Sequence, residues 1–339
     1  MSTSLNVSPS WHAAKDENGA AGGWAAGAHA TAGAHTSKPK MLEVLTHNIL
    51  PIFSMLALGF FLGRINFVSD LEAKTLNRIA FLILQPPLIL PLIAGIDLPS
   101  FDFSALGLYI CCQLITFTLA TLIARLIFKR DLAEAILLGM AMIFINTLLY
   151  IWPIATLIYG AEASLPITAI VAWDASVTFV VFIVTMELIT GKTPPRETAR
   201  RIALNPVLLA ILAGFMINAT GLTLPQPVLT AFSFAGAAAA PLTLFALGVI
   251  LSGHSLMPTR IVTTFASLKL IGMPLLVWWA MSQFSPGNTW SPLFILTAAG
   301  PSGAMPFALA LLYGVRSDAI APVIIWTSAL SLISLAYLA

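Results

Sequence analysis

Stretches of about twenty mostly apolar residues recur from residue 44 to the C-terminal end of this chain. A helix crossing a ~30 Å hydrocarbon core needs about 20 such residues. Ten segments qualify, at roughly 44–63, 76–95, 104–128, 134–160, 166–190, 202–218, 227–251, 261–283, 292–314 and 317–338. Only 9% of the 339 residues are charged, against 58% hydrophobic, where a soluble domain carries about 25% charged. Such a chain cannot cover a water-facing surface, which excludes a soluble enzyme. Its apolar content excludes general disorder. A net charge of +2 is too small for an electrostatic grip on nucleic acid. Cys111 and Cys112 are adjacent in an apolar run and point apart on a helix, so neither a disulfide framework nor a metal cluster follows. The reading is an all-α polytopic membrane protein with the lipid bilayer as its main partner.

Positive charges set the expected orientation. Arg64 and Lys74 lie between spans 1 and 2, with Arg78 just inside span 2, and Arg125, Lys129 and Arg130 mark the end of span 3 and its loop. Lys192, Arg196, Arg200 and Arg201 lie between spans 5 and 6, Arg260 before span 8 and Arg316 before span 10. The intervening loops carry no Lys or Arg. The positive-inside rule puts the basic loops in the cytoplasm and both termini outside the inner membrane.

Residues 1–40 are rich in Ala, Gly and His and cannot build a core, so a disordered tail is expected. They contain no apolar run of signal-peptide length. His12, His29 and His35 are irregularly spaced, which argues against a metal tract. Met41 opens the first apolar segment and is a candidate start.

The two halves resemble each other. Asn48-Ile-Leu-Pro51 with Gly59 in span 1 matches Asn205-Pro206 with Gly214 in span 6. Pro87-Leu-Ile-Leu90 in span 2 matches Pro241-Leu-Thr-Leu244 in span 7. Five spans per half make the second half enter from the opposite side, an inverted repeat of the kind secondary transporters use. The expected division is 41–190 and 202–339, joined by a basic cytoplasmic linker at 191–201.

Gly/Pro-interrupted spans at matching positions of two halves point to a transport site. Span 9 reads Gly300-Pro301-Ser302-Gly303-Ala-Met-Pro306, and a break there should line a cavity. Span 4 carries Asn146-Thr147 and, further on, Pro153. Half-helix N-termini at such breaks present N–H groups to an anion. The candidate substrate-binding residues are therefore Asn146, Thr147, Pro153, Gly300, Pro301, Ser302, Gly303 and Pro306. Two charges lie deep: Asp174 is ninth in span 5 and Lys269 ninth in span 8, each about 12 Å in from opposite faces. An isolated charge there is costly, so they are paired as a coupling or purely structural ion pair.

At these residues the chain resembles the auxin efflux carrier family, which includes bacterial malonate and malate permeases. The resemblance covers about 41–339 and rests on several features. These are Asn205-Pro206, Ala240-Pro241-Leu242 with Phe245-Ala-Leu-Gly248, Lys269 with Pro274, Pro301 followed by Tyr313-Gly314, and Ser328. It implies ten helices in two inverted five-helix repeats, with spans 1, 2, 6 and 7 as a scaffold. The other spans would form a transport unit in which broken helices 4 and 9 cross, with a carboxylate-type substrate at the crossing. It also allows a homodimer through the scaffold helices. Span 4 lacks the family's Gly-x-Pro, and Gly303-Ala304-Met305 stands where Asn is common.

The leading function is thus a secondary transporter of a small organic anion, a mono- or dicarboxylate such as malonate or malate, moved by alternating access. No Walker motif, cofactor motif or intramembrane protease motif is present. Proton coupling through Asp174, or no coupling, fits better than the alternative of sodium-coupled symport of the bile-acid-carrier type. A channel is a further alternative.

Overall fold

The structure is a computed structural model and describes residues 44–191, 194–254 and 257–338. The tail 1–40, its histidines and Met41 lie outside the described residues. Among these, the secondary structure is helical, and the isolated β-bridge pairs Ile145 with Ser302. The helices are α1 (Leu50–Arg64), α2 (Asp70–Ala94), α3 (Phe103–Ile127), α4 (Leu132–Ile143), α5 (Thr147–Tyr159), α6 (Leu165–Thr190) and α7 (Pro195–Ala203). They continue with α8 (Pro206–Thr220), α9 (Gln226–Ser252), α10 (Arg260–Phe284), α11 (Ser291–Ala298), α12 (Met305–Tyr313) and α13 (Ile320–Leu338). Six of them, α2, α3, α6, α9, α10 and α13, are long and apolar enough to cross a membrane. Helices α1, α4, α5 and α8 are apolar but shorter.

Polar residues start the helices. The Ser69 hydroxyl accepts from Glu72 N while Glu72 reaches back to Ser69 N, a capping box at the head of α2. Asp102, Asp131 and Thr259 accept from the first turns of α3, α4 and α10. Asn205 Oδ1 accepts from Val207 N at 2.9 Å, and Pro206 opens α8, where a missing N–H is harmless. Asn205→Ala should therefore lower stability by about 1 kcal/mol, a fall of a few degrees in thermal unfolding in detergent.

The helices pack in two sets. Helix α1 lies along the second half of α9, and α8 and the first half of α9 pack on the second half of α2. In the other set, α3 packs on α4 and α10, α11 on α10 and α6, and α12 and α13 on α4. The α1–α9 approach is backbone on backbone. A Cβ at Gly59 would fall on the carbonyl of Phe245, and one at Gly248 on the carbonyl of Leu56. Large apolar side chains such as Leu114, Phe234 and Ile333 face outward, as lipid-facing surfaces require.

Within the expected linker region, Pro195–Ala203 forms a short helix. One expectation changes. Pro153 does not break its span. The chain leaves helical geometry at 144–146, between α4 and α5, and Pro153 sits inside α5. A widened π-turn at Thr147–Ile151 immediately precedes it. That turn moves the carbonyl which a proline ring would otherwise strike. The same arrangement recurs at Ala80–Leu84 before Pro86 and at Leu268–Gly272 before Pro274.

Candidate functional site

The interruption after α11 runs from Ala299 to Ala304, and that after α4 from Phe144 to Asn146. The two non-helical stretches cross and bond to each other. Asn146 N donates to Pro301 O at 3.2 Å, and Gly303 N donates to Phe144 O at 2.8 Å. Backbone groups freed from helices are thereby satisfied against protein rather than lipid. Gly303 permits this approach, since a Cβ there would sit 3.1 Å from both the Phe144 ring and its carbonyl.

Beside the crossing lies a cavity of about 350 Å³. Phe144 to Leu149 line it from one broken helix and Gly303 to Met305 from the other. The first turns of α5 and α12 thus face the cavity, and neither start carries a side-chain cap. Helix α2 contributes Lys74, Asn77, Arg78 and Gln85, α6 contributes Asp174, and α9 contributes Thr243. Lys74 also pairs with Asp70 at 2.5 Å.

The opposite ends of the half-helices are closed by donors from neighbouring helices. Gln113 Nε2, from the middle of α3, donates to Ile143 O at 3.3 Å, the last carbonyl of α4. Lys269 Nζ, from α10, donates to Ala298 O at 2.7 Å, the last carbonyl of α11. A cation or donor there meets the negative end of the helix dipole. Each broken helix therefore has a donor-capped C-terminal end at its break and an uncapped start on the cavity.

Among the candidate residues, Asn146, Thr147, Gly303 and Asp174 line the cavity, while Pro153, Gly300, Pro301, Ser302 and Pro306 do not. Ser302 is turned into protein: it is 1% exposed, its amide donates to Thr327 Oγ1 at 3.2 Å, and its hydroxyl has no partner. Pro301 contributes its carbonyl to the crossing, and Pro306 lies in the first turn of α12. Asp174 and Lys269 are both buried but form no direct ion pair. Asp174 Oδ1 instead accepts from Gln113 Nε2 at 3.0 Å and Thr178 Oγ1 at 3.2 Å. Lys269 bonds Ala298 and lies 3.7 Å from Met273 Sδ. The half-helix carbonyl claims the ammonium that the depth argument assigned to Asp174. Both residues nevertheless occupy π-turns, Asp174–Thr178 and Leu268–Gly272, a local geometry frequent at functional sites.

Gln113, Gln85, Arg78 and Thr243 escaped the sequence reading. For the glutamines the signal was a polar residue inside an apolar span. Lys74 and Arg78 served only as topology markers, although their spacing of four puts them on one helix face.

The apolar helices, the crossing of two broken helices and the cavity beside it, with charged residues on a largely apolar wall, fit a multi-pass membrane protein of the transporter class. Residues 44–339 match the family described as "Membrane transport protein". The chain belongs to this family, that of the auxin efflux carriers. It is similar to a protein of Rhizobium meliloti (strain 1021) named "Putative malonate transporter", with 27% identity over 85% of this chain and 92% of the relative. It is also similar to an "Uncharacterized transporter" of Methanothermobacter thermautotrophicus, with 26% identity over 86% of this chain and 96% of that protein.

Proposed function

We propose that this chain is a secondary transporter of a small organic anion, a mono- or dicarboxylate such as malonate or malate. The observation that carries the reading is one cavity bordered by the starts of both broken helices, with Arg78 and Lys74 on its wall. Helix starts and basic side chains both favour a negative solute. The malonate name of one relative supports the carboxylate class.

In this reading the spans number ten, as two inverted five-helix repeats. The matching caps on Ile143 O and Ala298 O, made from the third span of each half, support that symmetry. The set α1, α2, α8 and α9 acts as a scaffold, the crossing set moves against it, and solute binds between them. The protein sits in the inner membrane with both termini outside and Lys74 and Arg78 toward the cytoplasm. Asp174 carries a coupled proton or serves only to hold the site, and Lys269 braces the crossing.

The test is uptake of labelled malonate and malate into proteoliposomes, with and without a pH gradient. Saturable uptake that is exchangeable from the far side, and reduced at least tenfold in Arg78→Ala, is expected. Asp174→Asn should abolish stimulation by the gradient if the proton is coupled there. Non-saturable flux would indicate a channel, and absence of uptake of any small carboxylate would overturn the reading.

A further inference from the structure

The cavity has two chemically unlike ends. Arg78 is exposed on its wall and makes no hydrogen bond or ion pair among the described residues. Gln85, seven residues further along α2 and so about 10 Å deeper, also lines it. Asp174 lines it from α6 and is 4% exposed. Its Oδ1 is filled by Gln113 and Thr178, but its Oδ2 is buried with no partner. The Thr243 hydroxyl, on α9, is likewise buried and unpartnered, and that residue also lines the cavity. The Gln113 amide cannot be turned to help. Its NH₂ already serves two acceptors, Ile143 O and Asp174 Oδ1.

The charged and titratable groups around Asp174 do not fill Oδ2 either. Lys269, from α10, and Tyr109, from α3, whose hydroxyl is buried and without a partner, do not hydrogen-bond it. Lys269 turns its ammonium to Ala298 O. Lys74 and Arg78 belong to the same cavity but are not bonded to Asp174.

A buried carboxylate oxygen without a donor is unfavourable, and a fully ionised second carboxylate against it would be more so. A solute that settles there relieves the cost by presenting an N–H or O–H. We propose that the transported solute is a monoanion with two unlike ends, a carboxylate toward Arg78 and a hydrogen-bond donor on Asp174 Oδ2. The class comprises half-protonated dicarboxylates, hydroxycarboxylates and dicarboxylic monoamides. This rests on the organic-anion reading above and narrows it: one charge enters per solute, and a donor rather than a second charge decides selectivity.

Two probes of equal length and charge separate the ideas. The N-methyl monoamide of malonate carries an N–H donor at its uncharged end, and monomethyl malonate, with the same number of heavy atoms, carries only acceptors there. Their affinities for the purified full chain are measured by thermal shift and by competition with labelled malonate uptake. The monoamide should bind at least tenfold more tightly to the wild type. In Asp174→Asn, which offers an N–H of its own, that preference should vanish or reverse. Equal binding of both probes to the wild type, or tighter binding of the ester, overturns the inference while leaving a malonate carrier intact. That comparison needs no variant to fold. A preference that persists unchanged in a folded Asp174→Asn also overturns it. If neither probe binds and no small carboxylate is taken up, the organic-anion reading falls with it.

Discussion

Gly248→Val should remove most of the folded protein from the membrane. The α1–α9 contact brings backbone against backbone, and a Cβ at Gly248 would fall on the Leu56 carbonyl and close on the Phe60 amide. Gly59 makes the reciprocal approach to Phe245. No flexible side-chain end can swing aside, so the helices must separate along their whole contact. Small residues at such crossings are how helices associate in lipid, where burial alone offers little drive. Overpacking typically costs about 1–3 kcal/mol. Valine's branched side chain against rigid backbone should reach or exceed the upper end, a large share of a marginal stability. Detergent-solubilised protein would be followed by fluorescence-detected size exclusion and thermal unfolding. Gly248→Ala should show a smaller loss in the same direction. A monodisperse Gly248→Val protein with wild-type melting would refute the packing argument.

Lys269→Ala should be nearly as damaging, for an electrostatic reason. Lys269 is 0% exposed, and its ammonium holds the last carbonyl of α11 at 2.7 Å. Alanine leaves that carbonyl, the negative end of a helix, without its donor and opens a void where three methylenes and the ammonium lay. Leaving a buried carbonyl without its donor costs about 1–3 kcal/mol, and the void adds to that. The damage should extend to the crossing, because Ala298 directly precedes the non-helical stretch that bonds Phe144 and Asn146. Lys269→Arg should recover part of the stability and Lys269→Met little of it, since methionine fills volume but donates nothing. Thermal unfolding of the three variants gives the ranking. If methionine matches lysine, the charge is dispensable.

How far these features could be read from sequence depends on where the information resides. The break in span 9 was legible because Gly300, Pro301 and Gly303 announce lost helical geometry. The break in span 4 was only half legible. Asn146 stands at its edge, but residues 144–146 contain neither glycine nor proline, and what holds them open is pairing with the other broken helix. Pro153 drew attention instead, and its effect is absorbed by a widened turn within α5. Depth in the spans suggested that Asp174 and Lys269 need partners. Which partner each takes depends on where the half-helices end, and Ile143 O and Ala298 O leave no mark in a residue list. Chain order likewise says nothing of Arg78 and Asp174 sharing a cavity, because α2 and α6 meet only in three dimensions.

The crossing of the two broken helices has a consequence for how such a protein diversifies. Part of the cavity's polarity is supplied by peptide groups, which are the same whatever side chains the helices bear. If the solute is the anion proposed above, mutation can reshape the lining at Val171, Phe179 or Ala308 without erasing the contribution of the main chain to its binding. The size and shape of the cargo can then change with the side chains while one electrostatic disposition persists, encoded in the path of the main chain.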